Sequence, residues 1–110
     1  MQIAIKRIIL FVEDMAGVTE FYEKKLGLKV ALRTADFVDF EAGGCHLALH
    51  KGTSQPGRTK VCFYAADVSK ARAELVARGV AMGKDPGPSE GIKLCDGKHP
   101  EGNIFQLSSR

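Results

Sequence analysis

The sequence predicts an α+β fold built from two βαβββ modules. Three observations carry that expectation. A stretch reading IILFVEDMAGVTEFYEKKLGLKV returns in weakened form as VCFYAADVSKARAELVARGVAM, with Asp14 over Asp67 at an offset of 67 − 14 = 53 residues. The same offset sets Arg7 over Lys60 and Phe11 over Tyr64. Self-similarity at a fixed period means that one supersecondary unit has been duplicated, so each copy is expected to bury its apolar face. The apolar pattern also switches from strand to helix and back in the same order in both copies. Finally, 110 residues of which 45% are apolar make one domain with a core of its own, needing no staples.

The first module occupies about residues 1–51. Ile3 to Val12 is rich in Ile and Val and reads as a buried strand. Asp14 offers a side-chain acceptor to the free backbone donors of a helix start, and Met15, Val18, Phe21, Tyr22 and Leu26 line one side of that helix. Gly27 stops it. Leu28 to about Arg33, Phe37 to Glu41 and Cys45 to Lys51 form three short extended stretches, with Gly43-Gly44 as the strongest hairpin signal. The segment GTSQPGR, residues 52–58, has the composition of a surface linker.

The second module, about residues 59–110, repeats the plan. Lys60 to Ala65 is the strand, Asp67 the cap, Val68, Ala71, Leu75 and Val76 the buried helical stripe, and Gly79 the stop. Val80 to Met82 begins the next strand. The stretch GKDPGPSEG is an irregular loop and a candidate lid. Gly91 to Cys95 and Asn103 to Ser108 complete the set, joined by a turn around HPEGN.

Several function classes are disfavoured at this level. The opening MQIAIKRIILFVED is interrupted by Lys6 and Arg7 and has no small-residue cleavage site, so it reads as a strand and not a signal peptide. Cys45, Cys62 and Cys95 are odd in number and lack CxxC spacing, which argues against a disulfide framework or a thiolate metal site. A reduced, cytoplasmic protein without a membrane segment is the expectation. The formal charge of +3 is spread among acids and not gathered into a run, so nucleic acid is not an expected partner.

The order strand, Val12-Glu13-Asp14, helix with Phe21-Tyr22, then Leu26-Gly27-Leu28, repeated once and closed by His99-Pro100-Glu101-Gly102-Asn103 before a last strand, resembles the vicinal oxygen chelate superfamily. That group comprises glyoxalases, bleomycin-resistance proteins and extradiol dioxygenases. The resemblance covers nearly the whole chain. It implies two βαβββ modules forming a curved mixed sheet around a cleft, with the helices on the outside, and a homodimer. It also implies where metal-dependent members place their ligands, usually His or Glu, at one position on the first and last strand of each module. Carried over by register, those positions fall on Arg7, Ala48, Lys60 and Gln106. Arg and Lys carry only donors, Ala has nothing to coordinate and Gln is a weak neutral partner, so no metal and no cofactor are expected.

Other residues offer little in its place. His46 and His50 lie four residues apart in an expected strand, a span of about 13 Å, too long for both to reach one ion at about 2 Å. Cys62 lies two residues from Lys60 on one strand, but no base is placed beside it by sequence. Alternation sends Arg7, Ile9 and Phe11 to one side, with Lys60, Cys62 and Tyr64 opposite, joined by His46, Ala48, His50, Ile104, Gln106 and Ser108. The expected ligand-binding set is therefore Arg7, Phe11, His46, Ala48, His50, Lys60, Cys62, Tyr64 and Gln106. Apolar and aromatic walls with a few polar groups describe a small-molecule site. Two cations where relatives hold a dication favour a small organic anion. The leading expectation is a metal-free binding protein of the glyoxalase and bleomycin-resistance type. The alternative is a glyoxalase-like lyase or isomerase, or a dioxygenase-related enzyme, with non-standard residues.

Overall fold

The computed structural model describes residues 1–2, 6–54, 59–88 and 90–110. It divides into two compact units, Met1–Ser54 and Gln55–Arg110, each an α+β module with its own four-stranded mixed sheet.

In the first unit, β1 (Arg7–Val12) leads into α1 (Met15–Glu20), which runs on as a π-helical turn over Phe21–Lys25, followed by β2 (Lys29–Arg33), β3 (Phe37–Glu41) and β4 (His46–Lys51). The sheet order is β1-β4-β3-β2, with β1 and β4 parallel and the other pairs antiparallel. Asp14 caps α1 as its sequence position predicts, accepting from the Gly17 amide at 3.0 Å. A methyl group at Gly17 would collide with that carboxylate, so cap and glycine form a matched pair. The wide turn that ends the helix shows in Leu26 N–H donating to Phe21 C=O at 3.1 Å and Leu28 N–H donating to Tyr22 C=O at 3.0 Å. Gly27, at φ +74°, then takes the left-handed conformation that glycine adopts without strain. Leu10, Val12, Val38, Phe40, Leu47 and Leu49 form the buried side of the sheet, and Val18, Phe21 and Tyr22 of the helix are buried with them. Tyr22 and Phe40 meet with ring centroids 6.0 Å apart.

The second unit repeats the plan as β5 (Lys60–Tyr64), α2 (Val68–Ala77), β6 (Ala81–Met82), β7 (Leu94–Lys98) and β8 (Ile104–Ser108), in the order β5-β8-β7-β6. β5 and β8 are parallel, the counterpart of β1 and β4. Asp67 caps α2 by accepting from the Lys70 amide at 3.0 Å. Val61, Val68, Leu75, Val80, Cys95, Phe105 and Leu107 make the core, whereas Val76 of the expected buried stripe is 47% exposed, because it follows Leu75 directly and one helical step turns it off the buried side.

Two further expectations need adjustment. The strand expected over Gly91 to Cys95 begins three residues later. Gly91 sits at φ +101°, outside extended geometry, and the ladder to β8 starts only at Leu94 opposite Ser108, ending with Lys98 opposite Ile104. The first strand is extended from Arg7, while residues 3–5 of its expected span lie outside the described residues, as do residues 55–58 of the expected linker and Ser89 of the candidate lid.

Candidate functional site

Side-chain alternation on β1 buries Leu10 and Val12 and leaves Arg7, Ile9 and Phe11 on the opposite, solvent-facing side of the sheet. The parallel register with β4 then fixes their neighbours, Arg7 beside His46, Ile9 beside Ala48 and Phe11 beside His50. β3 extends the same face with Glu41 opposite His46, Asp39 opposite Ala48 and Phe37 opposite His50. Five of the expected residues, Arg7, Phe11, His46, Ala48 and His50, therefore come together within the first unit. Ala48 is 0% exposed, so it serves as a floor and not as a contact of its own.

This face is polar at one end and aromatic at the other. At the polar end Arg7 donates through Nε to Asp39 Oδ1 at 3.1 Å and through Nη2 to Oδ2 at 3.2 Å. His46 Nδ1 lies 2.9 Å from the same Oδ2. The Asp39 side chain is only 8% exposed. The hydrogen bonds from Arg7 hold its carboxyl below the usual range; burial opposes this, and His46 assists. Arg7 is raised in turn, chiefly by its hydrogen bonds to Asp39. At the other end Phe11, 52% exposed, lies with its ring centroid 5.1 Å from that of His50, which also meets Phe37 edge-on at 6.1 Å.

The second unit carries a parallel arrangement. β5 exposes Lys60, Cys62 and Tyr64, and β8 places Ile104, Gln106 and Ser108 beside them in register. Lys60 Nζ donates to Asp96 Oδ2 at 3.2 Å, Gln106 Nε2 donates to Asp96 Oδ1 at 2.9 Å, and the Cys62 thiol lies 3.8 Å from Gln106 Oε1. Tyr64 is 71% exposed, whereas Ser108 is buried, its hydroxyl donating to Arg110 C=O at 3.2 Å.

Arg7 and Lys60 thus do not stand as bare charges. Each is paired with an acid of its own module, Asp39 or Asp96, on the strand beyond its parallel neighbour. Sequence reasoning missed both acids. The 53-residue offset that aligns the helices carries position 39 onto Ile92, whereas the structural counterpart lies 96 − 39 = 57 residues on, because the glycine- and proline-rich loop is longer than the β2–β3 turn. A usable signal was present in FVDFE. An acid inside an apolar strand is costly to bury unless it is paired.

The residues at the four positions where the resemblance implies metal ligands are not metal ligands. Arg7 and Lys60 bring positive charge, Ala48 brings a methyl group, and Gln106 has its amide turned to Asp96. Among the described residues no three His, Cys, Asp or Glu side chains come close enough together to hold an ion.

Comparison with known proteins places this geometry in context. The chain is similar in fold to a lactoylglutathione lyase from Agrobacterium tumefaciens, at 21% identity and a TM-score of 0.79, covering 96% of this chain and 92% of that one. It is similar to TnmS3, an antibiotic-binding protein from Streptomyces sp. CB03234, at 21% identity and a TM-score of 0.82, covering 97% and 96%. An integron cassette protein from V. cholerae shares 27% identity at a TM-score of 0.78, covering 98% and 96%. No curated protein sequence matches significantly. The family profile, by contrast, runs through both repeats without a break, from residue 4 to residue 107, and on that match the chain belongs to the Glyoxalase/Bleomycin resistance protein/Dioxygenase superfamily.

Proposed function

We propose that this chain is a small-molecule-binding protein that works without a metal, taking an organic ligand with an apolar or ring portion and an anionic head. The observation that carries this reading is the first unit's sheet face, where Ile9 and Phe11 are exposed beside a cluster of fixed polar side chains. Large apolar side chains left open next to a few oriented polar groups are the makings of a ligand seat. A divalent cation has no suitable donors at the family positions, so recognition falls to the side chains themselves. Arg7 keeps Nη1 outside its bond to Asp39, with both of its N–H donors uncommitted there. Those remaining N–H groups are what an anionic head would meet. The acids moderate the attraction, so the ligand is expected to carry one negative charge and not several.

The antibiotic-binding relative and the lyase relative set the two poles of the family. With no metal-ligand set among the described residues, binding is the better supported of the two. A homodimer completes the proposal, because β1 and β2 end the strand order of one sheet and β5 and β6 that of the other, and sheet edges are commonly covered by association. Light scattering at micromolar concentration is expected to return twice the 11.9 kDa chain mass.

The ligand reading is tested by thermal shift against matched aromatic carboxylates, their neutral amides and their cationic amine analogues. Binding to the native state alone raises the melting temperature by mass action. Carboxylates are expected to stabilise, amides less and amines not at all, with Arg7→Ala weakening a hit roughly tenfold. A panel without a single hit, or hits indifferent to charge and to Arg7, would overturn it.

A further inference from the structure

The two polar clusters differ in the second partner of the acid, which is Gln106 in the second unit and His46 in the first. In the second unit the neighbour of Lys60 is Ile104, but in the first the neighbour of Arg7 is His46, an imidazole held against a carboxylate. The chemistry of that contact decides which ring nitrogen bears the proton. Asp39 is ionised, bound by Arg7 on both oxygens, and an ionised carboxylate only accepts hydrogen bonds. The 2.9 Å contact therefore needs a proton on His46 Nδ1. A neutral imidazole protonated at Nδ1 has its lone pair at Nε2. His46 so held presents an acceptor at Nε2, at the end of the face where Arg7 and Asp39 are bound to each other and Glu41, opposite His46, pairs with Lys29 at 3.7 Å.

The layout around it sets the length of what is accepted. From His46 to His50 the strand advances about 13 Å. The polar cluster stands at the first end, Ile9 and the buried methyl of Ala48 form the middle, and the Phe11, Phe37 and His50 rings stand at the far end.

We propose that His46 Nε2 is the specificity-determining acceptor of this face, selecting an elongated amphipathic ligand whose hydroxyl or N–H donates to it at one end and whose ring lies over Ile9 toward Phe11 at the other. The inference rests on the binding function proposed above and adds to the anionic head a second requirement, a donor. A molecule of the right shape that lacks the donor leaves Nε2 desolvated and unmatched, which is how buried acceptors discriminate.

Nitrogen-15 NMR of the full chain, in alkaline buffer where imidazoles are neutral, tests this directly. His46 is expected as the Nδ1–H tautomer. Asp39→Asn, whose amide donates instead, is expected to invert it. Titration with 4-phenylphenol at about pH 8, where a phenol of pKa about 10 keeps its proton, is expected to shift His46 Nε2 saturably, and its methyl ether, the same two rings without the donor, is expected to bind roughly tenfold more weakly. Finding the Nε2–H tautomer in the parent, equal binding of phenol and ether, or no response of His46 to the phenol would each overturn the proposal. The two readings fail separately. A carboxylate hit that binds His46→Ala as tightly as the parent sinks this inference and leaves the binding function standing, whereas an empty carboxylate panel with the expected phenol response at His46 removes the anionic head alone.

Discussion

Asp39 governs the first unit's polar cluster, since both oxygens and both neighbours converge on it. Its depressed pKa makes the cluster sensitive to acid, and the sign follows from linkage. A carboxyl lowered on folding contributes stability that is present above its unfolded pKa of about 3.9 and is lost as pH falls through its lower folded value. The melting temperature of the parent is therefore expected to fall below about pH 4, and Asp39→Asn should flatten that part of the curve. Asp39→Ala should cost about 1.5–3 kcal/mol at neutral pH, the worth of hydrogen bonds to a charged group. Denaturant melts at neutral and acid pH check both points. Arg7→Ala is expected to destabilise as well as weaken binding, because it leaves a buried carboxylate with His46 alone. Arg7 cannot be read as a recognition residue only.

Among the elements, the helix starts follow from single residues. Asp14→Ala and Asp67→Ala each remove a cap bonded at 3.0 Å and should cost about 1 kcal/mol. The strands depend more on what faces them. Gly97 on β7 is buried, and a methyl group there would stand 2.6 Å from Cζ of the fully buried Phe105. Gly97→Ala should therefore destabilise by about 1–3 kcal/mol through overpacking, measurable as a shift of the denaturant midpoint at constant slope. Gly44→Ala, with open space around it and no positive φ, should be nearly neutral. Equal effects of the two glycine changes would show that Phe105 does not pack against β7 as described.

For the molecule as a whole the decisive question is the metal. Elemental analysis of purified protein is expected to find no stoichiometric Zn, Ni, Mn or Fe, and chelator should leave the melting temperature unchanged. The reason lies in Arg7 and Lys60, whose protonated nitrogens have no lone pair to give, at two of the four positions implied by the resemblance, and in the lack of any coordinating atom at Ala48. About one metal per chain, removed together with thermal stability, would refute this and shift the function toward the family's enzymes.

The features legible in the sequence are local ones. The duplication, both helix caps at Asp14 and Asp67, the glycine stops at Gly27 and Gly79 and the alternation on β1 and β5 each depend on residues within a few positions of one another, and backbone sterics act over that range. The exposed set led by Arg7, Phe11, Lys60 and Tyr64 came from the same alternation. The family too was legible, because its motifs are short. What the tertiary structure decided is which residues meet across strands. Asp39 is 32 residues from Arg7 and Asp96 is 36 from Lys60, and no period in the chain announces either pair, since loops of unequal length separate the two acids from the repeat that carries the two cations. The charge of the site and the tautomer of His46 both follow from that pairing, because an ion pair is made by the register of a sheet and not by the order of a chain.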